Sequence, residues 1–169
     1  MSRLLTASLF MLLAISPANA LPAPKITITN FDQLAHPLPM PYNEQLNAEK
    51  AVAAARTKAK KMHKLLLIDL GGNWCPDCRI LGGMFDQPDL KRFMDKYYEI
   101  VTIDVGRFDK NLSIPAHYGL TDRLKGAPTL LVVDPRTDKL LNGGHVTALA
   151  DARSMTPQAI ADWLAQWVR

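Results

Sequence analysis

A chain of 169 residues with 48% hydrophobic and 21% charged residues has the size and composition of one folded domain, which excludes a wholly disordered or membrane-embedded body. Its formal charge of +4 is a mild excess. The basic block Lys58-Ala59-Lys60-Lys61 suits the last turn of a helix, where lysines complement the macrodipole, so no nucleic-acid partner is expected.

In chain order, residues 1–20 come first. Arg3 supplies a positive start, Leu4 to Ile15 is almost wholly apolar, and Ala18-Asn19-Ala20 is a small-x-small cleavage site. This layout predicts a secretory signal peptide cleaved after Ala20. The apolar run is shorter than the ~20 residues of a spanning helix, so no stable membrane insertion is expected after cleavage. Residues 21–42 are proline-rich and predict an arm lying extended over the surface, with alternating Ile and Thr suggesting a short strand over Lys25 to Asn30. The folded domain is expected over 43–169.

Asn43 reads as the N-cap of a helix reaching about Met62. Leu65 to Asp69 reads as a buried parallel strand, followed by a turn at Gly71-Gly72-Asn73. A helix is expected from the Cys75-Pro76 step to about Leu81, where Gly82-Gly83 weakens it. Pro88 to Tyr97 is a second helical piece, and Ile100 to Val105 a second strand. Arg107 to Lys125 is an irregular connection with a short helix around Ala116 to Leu120. Thr129 to Asp134 is a strand, and Lys139 to Asn142 returns as its antiparallel partner. Thr156-Pro157 opens a last helix that runs to the C-terminus. The alternation predicts an α/β fold, a mixed central sheet with helices on both faces.

The chemistry centres on the two cysteines of the chain, spaced Cys75-Pro76-Asp77-Cys78. A cysteine at a helix start meets free N–H groups and the positive end of the dipole, which stabilise a thiolate. Cys78, one turn later, can attack a mixed disulfide formed by Cys75 and release the reduced partner. Two other readings stand beside exchange. One is half of a zinc site, although His36, His63, His117 and His145 are scattered and there is no second cysteine pair. The other is a structural bridge, although so short a loop constrains the unfolded chain little.

The stretch Ile68-Asp69-Leu70-Gly71-Gly72-Asn73-Trp74-Cys75-Pro76-Asp77-Cys78, together with Gly126-Ala127-Pro128-Thr129, resembles the thioredoxin family. The resemblance covers about residues 43–169 and implies a thioredoxin-like fold. It implies that Cys75 attacks and Cys78 resolves, and that Asp69 is a buried carboxylate handling the proton of the resolving thiol. It implies a cis bond before Pro128, with the backbone at Ala127-Pro128 pairing with an extended substrate. Trp74, Pro76 and Asp77 would complete the substrate-facing surface. Two departures stand out. The central dipeptide is Pro76-Asp77 in place of Gly-Pro, and the lysine that often accompanies the buried carboxylate is replaced by Ile100. The segment Phe108 to Leu120 also looks longer than the family core needs.

The resemblance implies a thiol–disulfide oxidoreductase acting on protein thiols and disulfides, with a membrane electron donor as a candidate partner. No cofactor is expected, because the two sulfurs carry the electrons. The leader places the protein in the periplasm. A negative Asp77 between the sulfurs would oppose thiolate formation, which favours a reductant. The alternatives are a disulfide oxidase or isomerase, and a non-enzymatic binding module on the same fold. A peroxide-reducing enzyme would need a Thr and an Arg before its cysteine, which Gly71-Gly72-Asn73 does not supply.

Overall fold

The computed structural model describes residues 21–169, so the expected leader at 1–20 lies outside the described residues. Helix α1 (Ala48–Lys61) leads into strand β1 (Leu65–Gly71). Helices α2 (Pro76–Asp86) and α3 (Pro88–Tyr97) follow, then strand β2 (Tyr98–Asp104) and the short helix α4 (Ser113–His117). Strands β3 (Thr129–Asp134) and β4 (Lys139–Leu140) precede helix α5 (Pro157–Ala165). The sheet order is β2-β1-β3-β4. Strands β1 and β2 are parallel, while β3 runs antiparallel to both β1 and β4.

Alternation along the buried strands sends side chains into two cores. Leu67, Leu130 and Val132 pack with Leu81, Met84, Leu90, Met94, Ile160 and Leu164 of α2, α3 and α5. Leu66, Ile68, Leu70, Leu131 and Val133 pack with Ala55 and Ala59 of α1 and with Ile114 of α4. The expected mixed sheet between helical layers is therefore present.

Several local expectations are corrected. No strand forms over Lys25 to Asn30: the N–H of Ile26 donates to Gln158 Oε1 at 2.9 Å and that of Thr27 to Asp89 Oδ2 at 3.3 Å. Side chains take the donors that a ladder would have used. Asn30 and Gln33 then form a capping box around a 3₁₀ turn at Phe31–Gln33. The N-cap of α1 is Asn47, whose Oδ1 accepts from the N–H of Lys50 at 3.0 Å, whereas Asn43 closes the preceding turn by accepting from the N–H of Gln45.

Gly82-Gly83 does not end α2 at Leu81. A Cβ at Gly82 would stand 3.1 Å from Pro39 and 3.2 Å from Pro41, and one at Gly83 would stand 3.2 Å from Leu34. The glycines make a flat helix face on which the arm lies. The short helix occupies Ser113–His117 instead of Ala116 to Leu120. Strand β4 stops at Leu140 because the Asn142 side chain continues the ladder: it accepts from the N–H of Val132 at 2.9 Å and donates to Leu130 O at 2.8 Å. Helix α5 ends at Ala165, short of the C-terminus.

The arm is fixed at both ends. Leu21 N–H donates to Val168 O, and Gln158 donates to Pro24 O. Further along, Arg79 of α2 donates to the carbonyls of Leu38 and Pro39, and Thr102 of β2 to that of Pro41. Ile26, Leu34 and Tyr42 are buried, so the arm adds side chains to the interior as well as crossing the surface.

Candidate active site

Strand β1 ends at Gly71, the chain turns through Gly72-Asn73-Trp74, and α2 begins at Pro76 with Cys75 as its N-cap. Cys75 has extended backbone (φ −92°, ψ 116°), and its Sγ accepts from the N–H of Cys78 at 3.2 Å. Proline at the first helical position loses no hydrogen bond and presets the turn. Cys75 and Cys78 are joined in a disulfide with their Cα atoms 5.2 Å apart. Cys78 is fully enclosed, and what little exposure the pair has belongs to Cys75.

The loop before β3 faces the disulfide. The Ala127–Pro128 bond is cis. The carbonyl oxygen of Ala127 lies 3.3 Å from Cys75 Sγ, where it can accept from the thiol once the pair is reduced. Thr129 Oγ1 ties the loop down by donating to Gly126 O at 2.7 Å.

Asp69, two residues before Gly71 on β1, has no solvent exposure. Burial pushes its carboxyl up to about 7, and the hydrogen bond it accepts from the Tyr42 hydroxyl pulls the other way. That bond, Tyr42 Oη to Asp69 Oδ1, is 2.8 Å long. Asp69 Oδ2 is buried with no hydrogen-bond partner among the described residues. Tyr42 comes from the arm, where Asn73 clamps its backbone by accepting from its N–H at 3.1 Å and donating to its carbonyl at 2.7 Å. Burial and the neighbouring Asp69 hold the phenol far above its ordinary range, so it stays a donor. Gly71 leaves the space between these groups: a Cβ there would stand 2.5 Å from Tyr42 Oη and 2.7 Å from Cys78 Sγ.

Trp74 is partly exposed beside the disulfide and donates from Nε1 to Gly106 O at 2.7 Å. The Arg107 guanidinium stacks 4.4 Å from its ring, and Phe108 meets it edge-on at 5.8 Å. Phe108, held at φ +68°, also packs against the cluster of Tyr42, Cys75, Cys78 and Ala127. The long connection after β2 thus builds one wall of the site.

Of the residues that the sequence singled out, Cys75, Cys78, Asp69, Trp74, Ala127 and Pro128 converge, and Pro76 is exposed at the rim. Asp77 is placed differently. It is buried, and its carboxylate accepts from Arg153 at Nη2 (2.7 Å), Nε (3.2 Å) and the backbone N–H (2.9 Å). Its charge is matched by a guanidinium, so the expected opposition to a Cys75 thiolate loses most of its force. Arg153→Ala should expose that charge and lower the thiolate fraction of reduced protein at a fixed pH by about threefold, read by thiolate absorbance. An unchanged fraction would show that Asp77 does not act on Cys75.

Two residues of the site, Tyr42 and Arg153, carried no signal in the sequence, and Phe108 is marked there only as the start of a segment longer than the family core needs. Tyr42 follows a proline run that reads only as extended chain, and its contact to Asp69 spans 27 residues. Among the described residues, no group of three or more His, Cys, Asp or Glu side chains could hold a metal ion.

A cysteine pair whose first member caps a helix, beside a cis-proline loop and after an interior strand of a mixed sheet, defines the thioredoxin class of redox site. The chain belongs to the thioredoxin-like family, whose pattern matches residues 47–135. It is similar to a structure described as a disulphide isomerase from Xylella fastidiosa Temecula1, with 36% identity and a TM-score of 0.69 over 76% of this chain and 96% of that one. It also matches the C-terminal domain of DsbD from Neisseria meningitidis in the oxidised form, at 23% identity and a TM-score of 0.40 over 53% of this chain and 76% of that one. No curated protein sequence matches the chain.

Proposed function

We propose that the protein exchanges its Cys75–Cys78 dithiol for disulfides in protein substrates, and that it works chiefly as a reductant. Cys75 is the attacking sulfur and Cys78 the resolving one. Asp69 takes the proton of Cys78 when the pair reoxidises and returns it in the reverse direction. Extended substrate lies along Ala127-Pro128, with Trp74 and Pro76 at its edge. The observation that carries this reading is the position of Cys75 Sγ, at a helix N-terminus and against the Ala127 carbonyl, with the buried Asp69 carboxyl bonded to Tyr42, whose hydroxyl borders the space at Gly71 together with Cys78 Sγ. Asp77 contributes to this surface only through its bond to Arg153.

The direction rests on what surrounds the sulfur. Among the described residues, the hydrogen-bond donor to Cys75 Sγ is one backbone N–H, that of Cys78. A thiolate so modestly stabilised leaves the dithiol a good reducing agent. The disulphide isomerase from Xylella fastidiosa favours an isomerase as the second reading, since an isomerase also works from the dithiol form. Protein thiols and disulfides are the partners in either case, and a membrane electron donor would keep the pair reduced. The periplasm is the proposed location, from the leader motif at 1–20. No helix among the described residues is long and apolar enough to cross a membrane.

The test is the reduction potential against glutathione. A reductant should lie near the about −270 mV of thioredoxins, an isomerase near about −180 mV, and an oxidase near about −120 mV. A value at the oxidising end would overturn the proposed direction. Absence of any thiol exchange would leave the binding-module reading.

A further inference from the structure

Asp69 has two oxygens in the same enclosed space, and they are in different situations. Oδ1 accepts from Tyr42 Oη at 2.8 Å, while Oδ2 has no partner among the described residues. A buried ionised oxygen without a partner is costly, and a neutral carboxyl would place its proton there. The Tyr42 hydroxyl is also close to the resolving sulfur. The missing Cβ of Gly71 would touch both Tyr42 Oη and Cys78 Sγ, so those atoms can be no further apart than the sum of the two contact distances.

The surroundings supply few other charges. The arm presents Tyr42, and α2 presents Cys78, whose Sγ borders the space at Gly71 together with Tyr42 Oη. From β2, Thr102 stands in register with Asp69, and Asp104 acts on Tyr42 from the strand end, itself 3.9 Å from Lys110. From β3, Leu130 stands in register and is apolar. Ile100 lies on β2 opposite Leu67, so no lysine reaches the carboxyl from that strand position.

We propose that Tyr42 is the positioning residue of the resolving step: its hydroxyl holds Asp69 by Oδ1, leaving Oδ2 as the atom that takes the proton of Cys78. This role rests on the reading of Asp69 as the base. In the step, the Cys78 S–H bond breaks and its proton passes to Oδ2. The Cys78 thiolate attacks Cys75 Sγ, the Cys75–Cys78 bond forms, and the bond from Cys75 to the partner sulfur breaks. The partner leaves as a thiolate with the electron pair and takes a proton from water. The two cysteines are oxidised and the partner is reduced. Without the phenol, the carboxyl is free to rotate, and its ionised form loses the hydrogen-bond donor that favours it.

The experiment compares wild type, Tyr42→Phe and Asp69→Asn in single-turnover reaction of the reduced proteins with oxidised glutathione across pH. Acid quenching and mass spectrometry separate formation of the glutathione adduct on Cys75 from its resolution by Cys78. In Tyr42→Phe, resolution should slow about tenfold at pH 7, and its pH midpoint should move up by about one pH unit. Adduct formation should stay within about twofold of wild type. Carbon-13 titration of the Asp69 carboxyl in the oxidised protein should show the same upward movement, which a merely structural role would not produce. Should Tyr42→Phe fail to fold, 3-fluorotyrosine at position 42 keeps the shape and strengthens the donor, and the midpoint should then move down.

A Tyr42→Phe midpoint equal to wild type, with Asp69→Asn losing the inflection, would overturn the role of Tyr42 and leave Asp69 as base. If Asp69→Asn resolves with the wild-type profile, the reading of Asp69 falls first, and the Tyr42 role falls with it.

Discussion

Asp69→Asn should make the oxidised protein more stable at pH 8 and far slower at resolving mixed disulfides. The folded carboxyl is raised from 3.8 to about 7 by burial. Between about pH 4 and pH 7 the unfolded chain has lost this proton and the folded protein has kept it. The folded state therefore binds more protons, and stability falls as pH rises through that window. Above it the loss is complete, on the order of 4 kcal/mol at about 1.4 kcal/mol for each pH unit of displacement. Asparagine removes the charge but brings an amide N–H₂ to where Oδ2 has no partner, so the net gain should be nearer about 2 kcal/mol at pH 8. Urea unfolding of both oxidised proteins at pH 4 and pH 8 measures it. The two should diverge as pH rises, and parallel curves would show that Asp69 is not held protonated by the fold. Resolution of the glutathione adduct should slow by about a hundredfold, the usual scale for losing a positioned base.

Cys78→Ser should accumulate disulfide-linked adducts through Cys75, since the second half of the exchange is blocked. Cys75→Ser should accumulate none, because Cys78 is enclosed beneath Cys75 and meets no partner. The contrast should be close to all or none on a non-reducing gel of cells whose thiols have been alkylated, and a reducing agent should erase it. Adducts formed by Cys75→Ser and not by Cys78→Ser would exchange the two roles. No adduct from either variant would argue for a binding protein that retains the cysteines for another reason.

Features legible in the sequence are those whose cause lies within a few residues. The proline after Cys75, the turn before it and the run Leu65 to Asp69 each act on neighbouring backbone, and the structure realises them as a helix cap following a buried strand that extends to Gly71. Strand β3 is equally plain, because Thr129 to Asp134 follows a turn and is apolar from Leu130 to Val133. What could not be read depends on partners far along the chain. Asp77 looked like a free charge because Arg153 lies 76 residues away. Gly82-Gly83 looked like a break because the prolines and leucines that need its flat face come from an arm some 40 residues earlier, as the Arg79–Pro39 bond records. The alternation at 25–30 looked like a strand because the side chains of Asp89 and Gln158, which claim its donors, could not be anticipated.

The arm also bears on how this redox unit could be moved between proteins. The family pattern spans residues 47–135, whereas the hydroxyl that contacts the buried carboxylate belongs to residue 42, and the chain leading to it is tied to the last helix through Gln158. A chimera that transplanted only the matched segment would carry both sulfurs and the carboxylate but leave the phenol behind. It would also leave behind the seat on α5 that holds the strap in place. The smallest portable unit is therefore discontinuous with respect to the family pattern: it begins upstream of α1 and needs α5 as its buckle, so the two ends of the described chain must travel together.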